Sequence, residues 1–378
     1  NRLISLNEVG ADPQIFGRSI GDFHEFNKTR LNKWPFSMNT TSTHDTKRGE
    51  DVRARLNVLS EMPSEWGAKV RKWAELNFNK KIRVGNKLAP DNNEEYYIYQ
   101  TLVGAFPSKL DELPEFAERV KEHMVKAVRE AKINSSWLEP DVMYEKAITS
   151  FVGKTLDPAK GNRFLQDFII FQKKIAYYGL FNSLSQILLK IASPGIPDFY
   201  QGTELWDLNL VDPDNRRNVD FEKRLRSLND VLAISGKKLE MEKLLQNFED
   251  GLVKLYETRR LLGVRRSSRK LFEEGDYIPI RVKGKYRKKI IAFCRKRNEE
   301  WAIIVAPRFL TSLIKLGEYP LGVKVWKNTQ LLLPKNSPAL WEEIFTQRNL
   351  HSTKMEHEDI FSVGCVLENF PVALLLNK

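Results

Sequence analysis

Cysteine is almost absent: Cys294 and Cys365 are the only two in 378 residues, with no CxxC pair and no cysteine–histidine cluster. That excludes a disulfide framework and argues against a zinc module. Few thiols and no export signal make the cytoplasm the expected location. Long apolar runs are missing too. The best candidate, around 187–192, is interrupted by Lys190 and falls short of the roughly 18–20 residues that a membrane helix needs. No membrane partner is expected. There is no internal repeat and no low-complexity stretch, and nothing suggests a metal or an organic cofactor. The chain also lacks an initiating methionine. It opens as Asn1-Arg2-Leu3-Ile4, which reads as a fragment or a split gene product.

Hydrophobic residues make up 42% of the chain, enough for a sizeable core and, at this length, for more than one domain. Lys and Arg number 61 against 49 Asp and Glu, a net charge of +12. A basic nucleic-acid-binding protein is therefore one alternative. The densest patches, Arg259 to Lys270 and Lys283 to Lys289, carry no nucleic-acid-binding pattern and lie among acidic residues. A solvated Lys/Glu-rich surface explains them, and nucleic acid is not the expected partner.

Residues 36–43 form a β-prone run after Pro35 and predict a strand with His44-Asp45 at its C-terminal end. Glu50 and Asp51 put negative charge in the first turn of a helix whose Val52, Leu56 and Leu59 share one face. Residues 64–165 read as helical. Within them Trp66, Val70 and Trp73 fit one helix, and Phe116, Val120, Met124 and Val128 fit another. A long helical pair over 164–191 leads to a short buried strand at 196–200. Helices return over 221–228 and 239–262, and from about Arg269 the period becomes two, as in antiparallel sheet. Strand, helix, helical insertion, helix and strand fit the last two βα units of a barrel. In such barrels the chemistry sits at the C-terminal strand ends.

The densest motif is Thr41-Ser42-Thr43-His44-Asp45-Thr46-Lys47-Arg48-Gly49-Glu50-Asp51-Val52-Arg53-Ala54-Arg55. It resembles the fourth conserved region of α-amylase-type enzymes, where a His-Asp pair ends strand seven of the barrel. In its extended form it resembles the maltooligosyl trehalose synthase family. A second stretch runs from Ser193-Pro194-Gly195-Ile196-Pro197-Asp198-Phe199-Tyr200-Gln201-Gly202-Thr203-Glu204 through Trp206-Asp207-Leu208-Asn209 to Asp212-Pro213-Asp214-Asn215-Arg216-Arg217. It resembles the strand-eight region of the same family. The similarity extends to Leu6-Asn7-Glu8-Val9-Gly10 and to Phe370-Pro371-Val372-Ala373-Leu374.

The resemblance implies an α/β plus all-β fold: the C-terminal portion of a (β/α)8 barrel with a helical insertion, followed by an antiparallel β domain. The implied divisions are 1–63 with strand seven, 64–165 as the insertion, 166–265 with strand eight, and 266–378 as the β domain. It implies an isomerase, an intramolecular transglucosylase of trehalose biosynthesis acting on maltooligosaccharides. Asp45 would be the third carboxylate, hydrogen-bonded to the cleaved sugar, and His44 would donate to a hydroxyl of that sugar. Without the motif, the pair could equally cap the next helix. Lys47 and Arg48 would hold the leaving glucose. Tyr200, Gln201 and Glu204 would line the pocket floor. Asp212, Asp214, Asn215 and Arg216 would either bind reducing-end hydroxyls or knit their loop together through Arg–Asp pairs. Trp34 and Trp206 suit sugar stacking or a core equally.

Retaining glycosidases also need a nucleophile and an acid about 5–5.5 Å apart. In this family those lie after strands four and five, and no Arg-x-Asp-x-x-x-His segment occurs here. An N-terminal half is therefore the implied partner, with a maltooligosyltrehalose trehalohydrolase to act on the product. A non-catalytic glucan-binding remnant or partner subunit is the other alternative.

Overall fold

The computed structural model describes residues 2–159, 161–355 and 358–378. The chain forms two compact units. One comprises Asn1–Gln14, His44–Gly179 and Asp207–Asn218; the other comprises Ile15–Thr43, Leu180–Trp206 and Val219–Lys378. Helices and antiparallel sheets make up most of the structure. No helix among the described residues is long and apolar enough to cross a membrane.

The first unit is mainly helical. Helix Glu50–Val58 opens on its two carboxylates, and Val52, Leu56 and Leu59 are all buried. Pro63 begins helix Pro63–Asn77, where its missing N–H costs nothing. Asp91 and Glu94 form a reciprocal capping box at the head of helix Asn92–Ala105. Helix Leu113–Ala131 buries the expected Phe116, Val120, Met124 and Val128. A small hairpin, Ile82–Val84 with Lys87–Ala89, interrupts this otherwise helical stretch. Trp73 is fully buried against Phe164, Phe168 and Phe171, and its Nε1 donates to Asp167 at 2.8 Å. Burial alone would raise the pKa of Asp167, but bonds from Lys69, Lys72 and Trp73 bring it down to about 2.

The helical pair expected over 164–191 is one helix of 30 residues, Arg163–Ala192. From Ile175 to Ala192 every residue is buried or half-buried, as in a helix at the centre of a core, whereas Gln166, Ile170 and Lys173 in its first half face solvent. Gly179 marks no break. A Cβ there would meet Arg55 Cγ at 2.7 Å, so the glycine gives Arg55 room to pass.

In the second unit the two predicted strands shrink to Met38–Asn39 and Ile196–Pro197, paired in parallel. Pro197 has no N–H to continue the ladder, and Ile196 is exposed, not buried. The segment before it is tightly fixed. Arg265 donates to Ile191 O and Gly195 O, each at 2.6 Å. The fully buried Arg295 donates to Ala192 O at 3.2 Å, and burial pulls its pKa down to about 10. Two guanidinium groups thus satisfy the last carbonyls of the long helix and the turn after it.

The helix expected over 239–262 is broken. Lys238–Gln246 and Leu252–Ser267 are separated by a turn in which Gly251 has φ +81°. A short helix, Arg269–Glu274, then precedes strand Asp276–Pro279, where the C-terminal sheets begin. Six strands form one antiparallel sheet in the order Arg348–His351, Leu340–Glu343, Ala373–Asn377, Glu300–Pro307, Ile290–Arg297 and Asp276–Pro279. Four shorter strands, Thr353–Met355, Glu358–Ser362, Gln330–Leu332 and Arg281–Lys283, make a second antiparallel sheet.

Glu257, on helix Leu252–Ser267, is fully buried, and neither carboxyl oxygen has a hydrogen-bond partner among the described residues. Burial raises its pKa well above the carboxylate range, with Lys254 opposing. The unfolded chain releases this proton above about pH 4.5, while the folded chain retains it. Stability attributable to this site is therefore complete at low pH and declines as pH rises towards the folded pKa. Glu257→Gln removes that dependence. Urea melts should show the variant near parity at pH 4.5 and increasingly more stable than the parent as the pH is raised to about 7.5. A gap that does not widen with pH would contradict this.

Candidate functional site

His44 and Asp45 form an exposed turn in the first unit. His44 Nε2 lies 3.3 Å from Asp45 Oδ2, with side chains 60% and 67% exposed. The next helix is capped at Gly49 with no side-chain cap bond, so Asp45 does not serve as its N-cap.

The stretch after the turn is laced to 207–215. Gly49 N donates to Asn209 O at 2.9 Å, and Arg48 bridges to Leu210 as an isolated antiparallel pair. The buried carboxylate of Asp207 accepts from Glu50 N at 3.2 Å, while Asp207 N donates to Asp51 Oδ2 at 2.7 Å. Asn215, also buried, donates from Nδ2 to His44 O at 3.0 Å.

Asp214 lies at the centre of its loop. Arg119 donates to both its oxygens at 2.7 and 2.8 Å, and Leu210 N donates to it at 2.7 Å. Burial would raise the pKa of Asp214, but Arg119, Leu210 N and Arg217 together hold it below its ordinary value. Arg216 pairs with Asp212 at 2.5 Å. The Arg–Asp pairs that the sequence allowed are therefore present.

Lys47 and Arg48 line a cleft of about 490 Å³ in the first unit, shared with Glu8, Tyr97, His123 and Lys126. Arg48 is buried, donating to Ile4 O at 3.2 Å and to Tyr97 Oη at 2.9 Å. Tyr97 Oη lies 2.9 Å from His123 Nε2. Burial, reinforced by the Arg48 charge, lowers the His123 pKa to about 3, so the imidazole is neutral at physiological pH. Glu8 Oε1 accepts from Lys47 N at 2.8 Å. Cations and carboxylates face the cleft in similar number, which suits an uncharged ligand rich in hydroxyls better than an anion.

Tyr200, Gln201 and Glu204 belong to the second unit. Tyr200 is half-buried and Gln201 exposed. Glu204 pairs with Arg224 at 2.8 Å, and Arg224 also donates to Gly202 O at 2.7 Å. Trp34 is exposed, whereas Trp206 is half-buried and donates to Phe248 O at 2.7 Å. The basic stretch after Arg259 is no open stripe: Arg260 and Arg265 donate to backbone carbonyls, and Arg269 pairs with Glu273.

No protein-family model matches the chain. A Mycobacterium tuberculosis protein assigned as a maltooligosyl trehalose synthase is 32% identical over 345 residues, covering 91% of this chain and 39% of its own length. The solved maltooligosyltrehalose synthase of Arthrobacter ramosus is 30% identical with a TM-score of 0.79, covering all of this chain and 43% of its own. The structure of a hypothetical maltooligosyl trehalose synthase from Sulfolobus tokodaii is 32% identical with a TM-score of 0.73, at 100% and 44% coverage.

The chain is similar to maltooligosyl trehalose synthases over 91% or more of its length. It spans about two-fifths of the length of the synthases it matches, a coverage consistent with a C-terminal part. Glu8, Tyr97 and His123 at the cleft, and Arg119 and Asp207 behind the turn, carry no role that a motif assigns, although Glu8 and Asp207 lie within motif-like stretches. Arg119, His123 and Tyr97 lie in 64–165, the stretch least like a synthase motif.

Proposed function

We propose that this chain is part of an intramolecular transglucosylase that converts the reducing-end α-1,4 linkage of a maltooligosaccharide into an α,α-1,1 linkage, giving maltooligosyltrehalose. The nucleophile and the general acid come from an N-terminal half, attached or separate, and without it the chain is inactive. The nucleophilic carboxylate attacks the anomeric carbon of the penultimate glucose as the acid protonates the leaving oxygen. The freed terminal glucose turns within the closed site. Its anomeric hydroxyl then attacks the glycosyl–enzyme bond and returns its proton to the carboxylate that had acted as acid. Water must be excluded, or hydrolysis competes.

In this reading Asp45 accepts hydrogen bonds from the hydroxyls of the sugar being cleaved, and these bonds strengthen as its ring distorts. His44 donates to the same sugar. Lys47 holds the terminal glucose, and Arg48 supports it from the buried wall of the cleft. Tyr200, Gln201 and Glu204, with Asp212 and Arg216, are the other proposed contacts, while the buried Asn215 does not reach the sugar but bonds to the His44 carbonyl behind the turn. The parallel pair Met38–Asn39 and Ile196–Pro197 would be strands seven and eight of a (β/α)8 barrel. The observation that carries the proposal is the exposed Asp45 carboxylate, displayed on an anchored turn and not engaged as a helix cap.

The test is incubation of maltopentaose with this chain joined to its N-terminal half. A non-reducing trehalosyl product is expected, and none from the chain alone. Release of glucose and maltose without that product would indicate an ordinary amylase.

A further inference from the structure

The His44 carbonyl belongs to the peptide unit that leads into Asp45. That unit is planar, so fixing its oxygen fixes the direction in which the backbone enters Asp45, and with it the Cα–Cβ bond that carries the carboxylate. The side chains of the turn are mostly in solvent, at 60% and 67% exposure, so packing does little to orient them. The carbonyl is held from across the fold: Asn215, 6% exposed, donates to it from Nδ2 at 3.0 Å. Asn215 is itself set in place by its neighbour Asp214, which Arg119 grips with two bonds from helix Leu113–Ala131. Downstream, the Gly49 N–H to Asn209 O bond fixes the other side of the turn.

We propose that Asn215 is a positioning residue for Asp45, and that Arg119 acts through it, so that the helical segment helps aim the carboxylate. This rests on the role given to Asp45 above. A carboxylate displaced by about 1 Å loses up to roughly 100-fold in rate with little change in ground-state binding.

The test uses the chain joined to its N-terminal half, acting on maltopentaose. Asn215→Asp and Asn215→Leu keep the side-chain size but remove the amide donor. Both should lower kcat by roughly 10–100-fold and leave KM within about threefold, with a fall in the thermal unfolding midpoint of the size expected for one lost buried hydrogen bond. Arg119→Lys, which gives up the two-pronged grip but keeps the charge, should show the same split more weakly, and it decides the matter if the Asn215 variants fail to fold. Unchanged kcat in the folded variants would overturn the proposal. So would a raised KM at unchanged kcat, which is the behaviour of a substrate contact. Asp45→Asn in the same assay separates the two ideas. If that variant is inactive while the Asn215 variants are fully active, only the positioning role fails. If it is fully active, the role of Asp45 fails.

Discussion

Asp45→Asn, in the chain joined to its N-terminal half, should lower the turnover of maltopentaose by roughly 100- to 1000-fold. The estimate follows from hydrogen bonds to sugar hydroxyls that contribute several kcal/mol at the transition state, with each 1.4 kcal/mol worth about a factor of ten. The amide matches the carboxylate in shape but presents an N–H₂ where a hydroxyl must donate. Stability should barely move. The side chain is 67% exposed and does not cap helix Glu50–Val58, and its pairing with His44 is of the solvent-exposed kind that contributes little. Steady-state kinetics beside a thermal melt checks both halves. Full activity would remove Asp45 from the chemistry, and a large loss of stability would make it structural.

Local signals in the sequence translate well where one element alone carries them. The acidic start of helix Glu50–Val58 and the stripe Phe116, Val120, Met124 and Val128 appear as read, and the β-rich runs at 289–293 and 301–306 correspond to the longer strands Ile290–Arg297 and Glu300–Pro307. Failures occur where length depends on a partner. Residues 36–43 are β-prone throughout, yet a strand persists only while something pairs with it, and Ile196–Pro197 offers two residues. Gly179 looks like a break in a helical pattern, but its missing Cβ makes room for Arg55. Gly251 resembles it in sequence and does break a helix, because its φ is +81°.

Site residues divide in the same way. His44, Asp45 and Lys47 fall within four consecutive positions, so one motif exposes them. Arg119 and Asp214 are separated by 95 positions, and neither flanking sequence announces the pair. The buried, neutral His123 sits on a helix face that reads simply as core. What positions the turn is hydrogen bonding between the 44–51 and 207–215 segments, backbone to backbone and side chain to backbone, and a single sequence records little of that.

Gly49→Ala should test that cross-segment bonding at its tightest point. The backbone at Gly49 has an ordinary φ of −56°, so the constraint is space, not conformation. An added Cβ would lie 2.5 Å from both Asp207 Cγ and the Asp207 carbonyl oxygen. The carbonyl cannot swing aside alone, because Asp207 N is bonded to Asp51 and its carboxylate to Glu50 N. Relief requires the whole 207–210 segment to lift. That strains the Gly49–Asn209 bond and the Arg48–Leu210 bridge, around acids that are no more than 3% exposed. Each buried polar group left without its partner costs about 1–3 kcal/mol, so the expected loss of stability is roughly 3 kcal/mol or more. Gly67→Ala is the contrast. It lies within helix Pro63–Asn77, where the Cβ would meet only the far end of the Arg71 side chain, at 3.6 Å. There the substitution should stabilise by about 0.5–1 kcal/mol. Urea unfolding of the two variants should move in opposite directions. If Gly49→Ala unfolds at the same urea concentration as the parent, the two segments are not as closely joined as the structure describes.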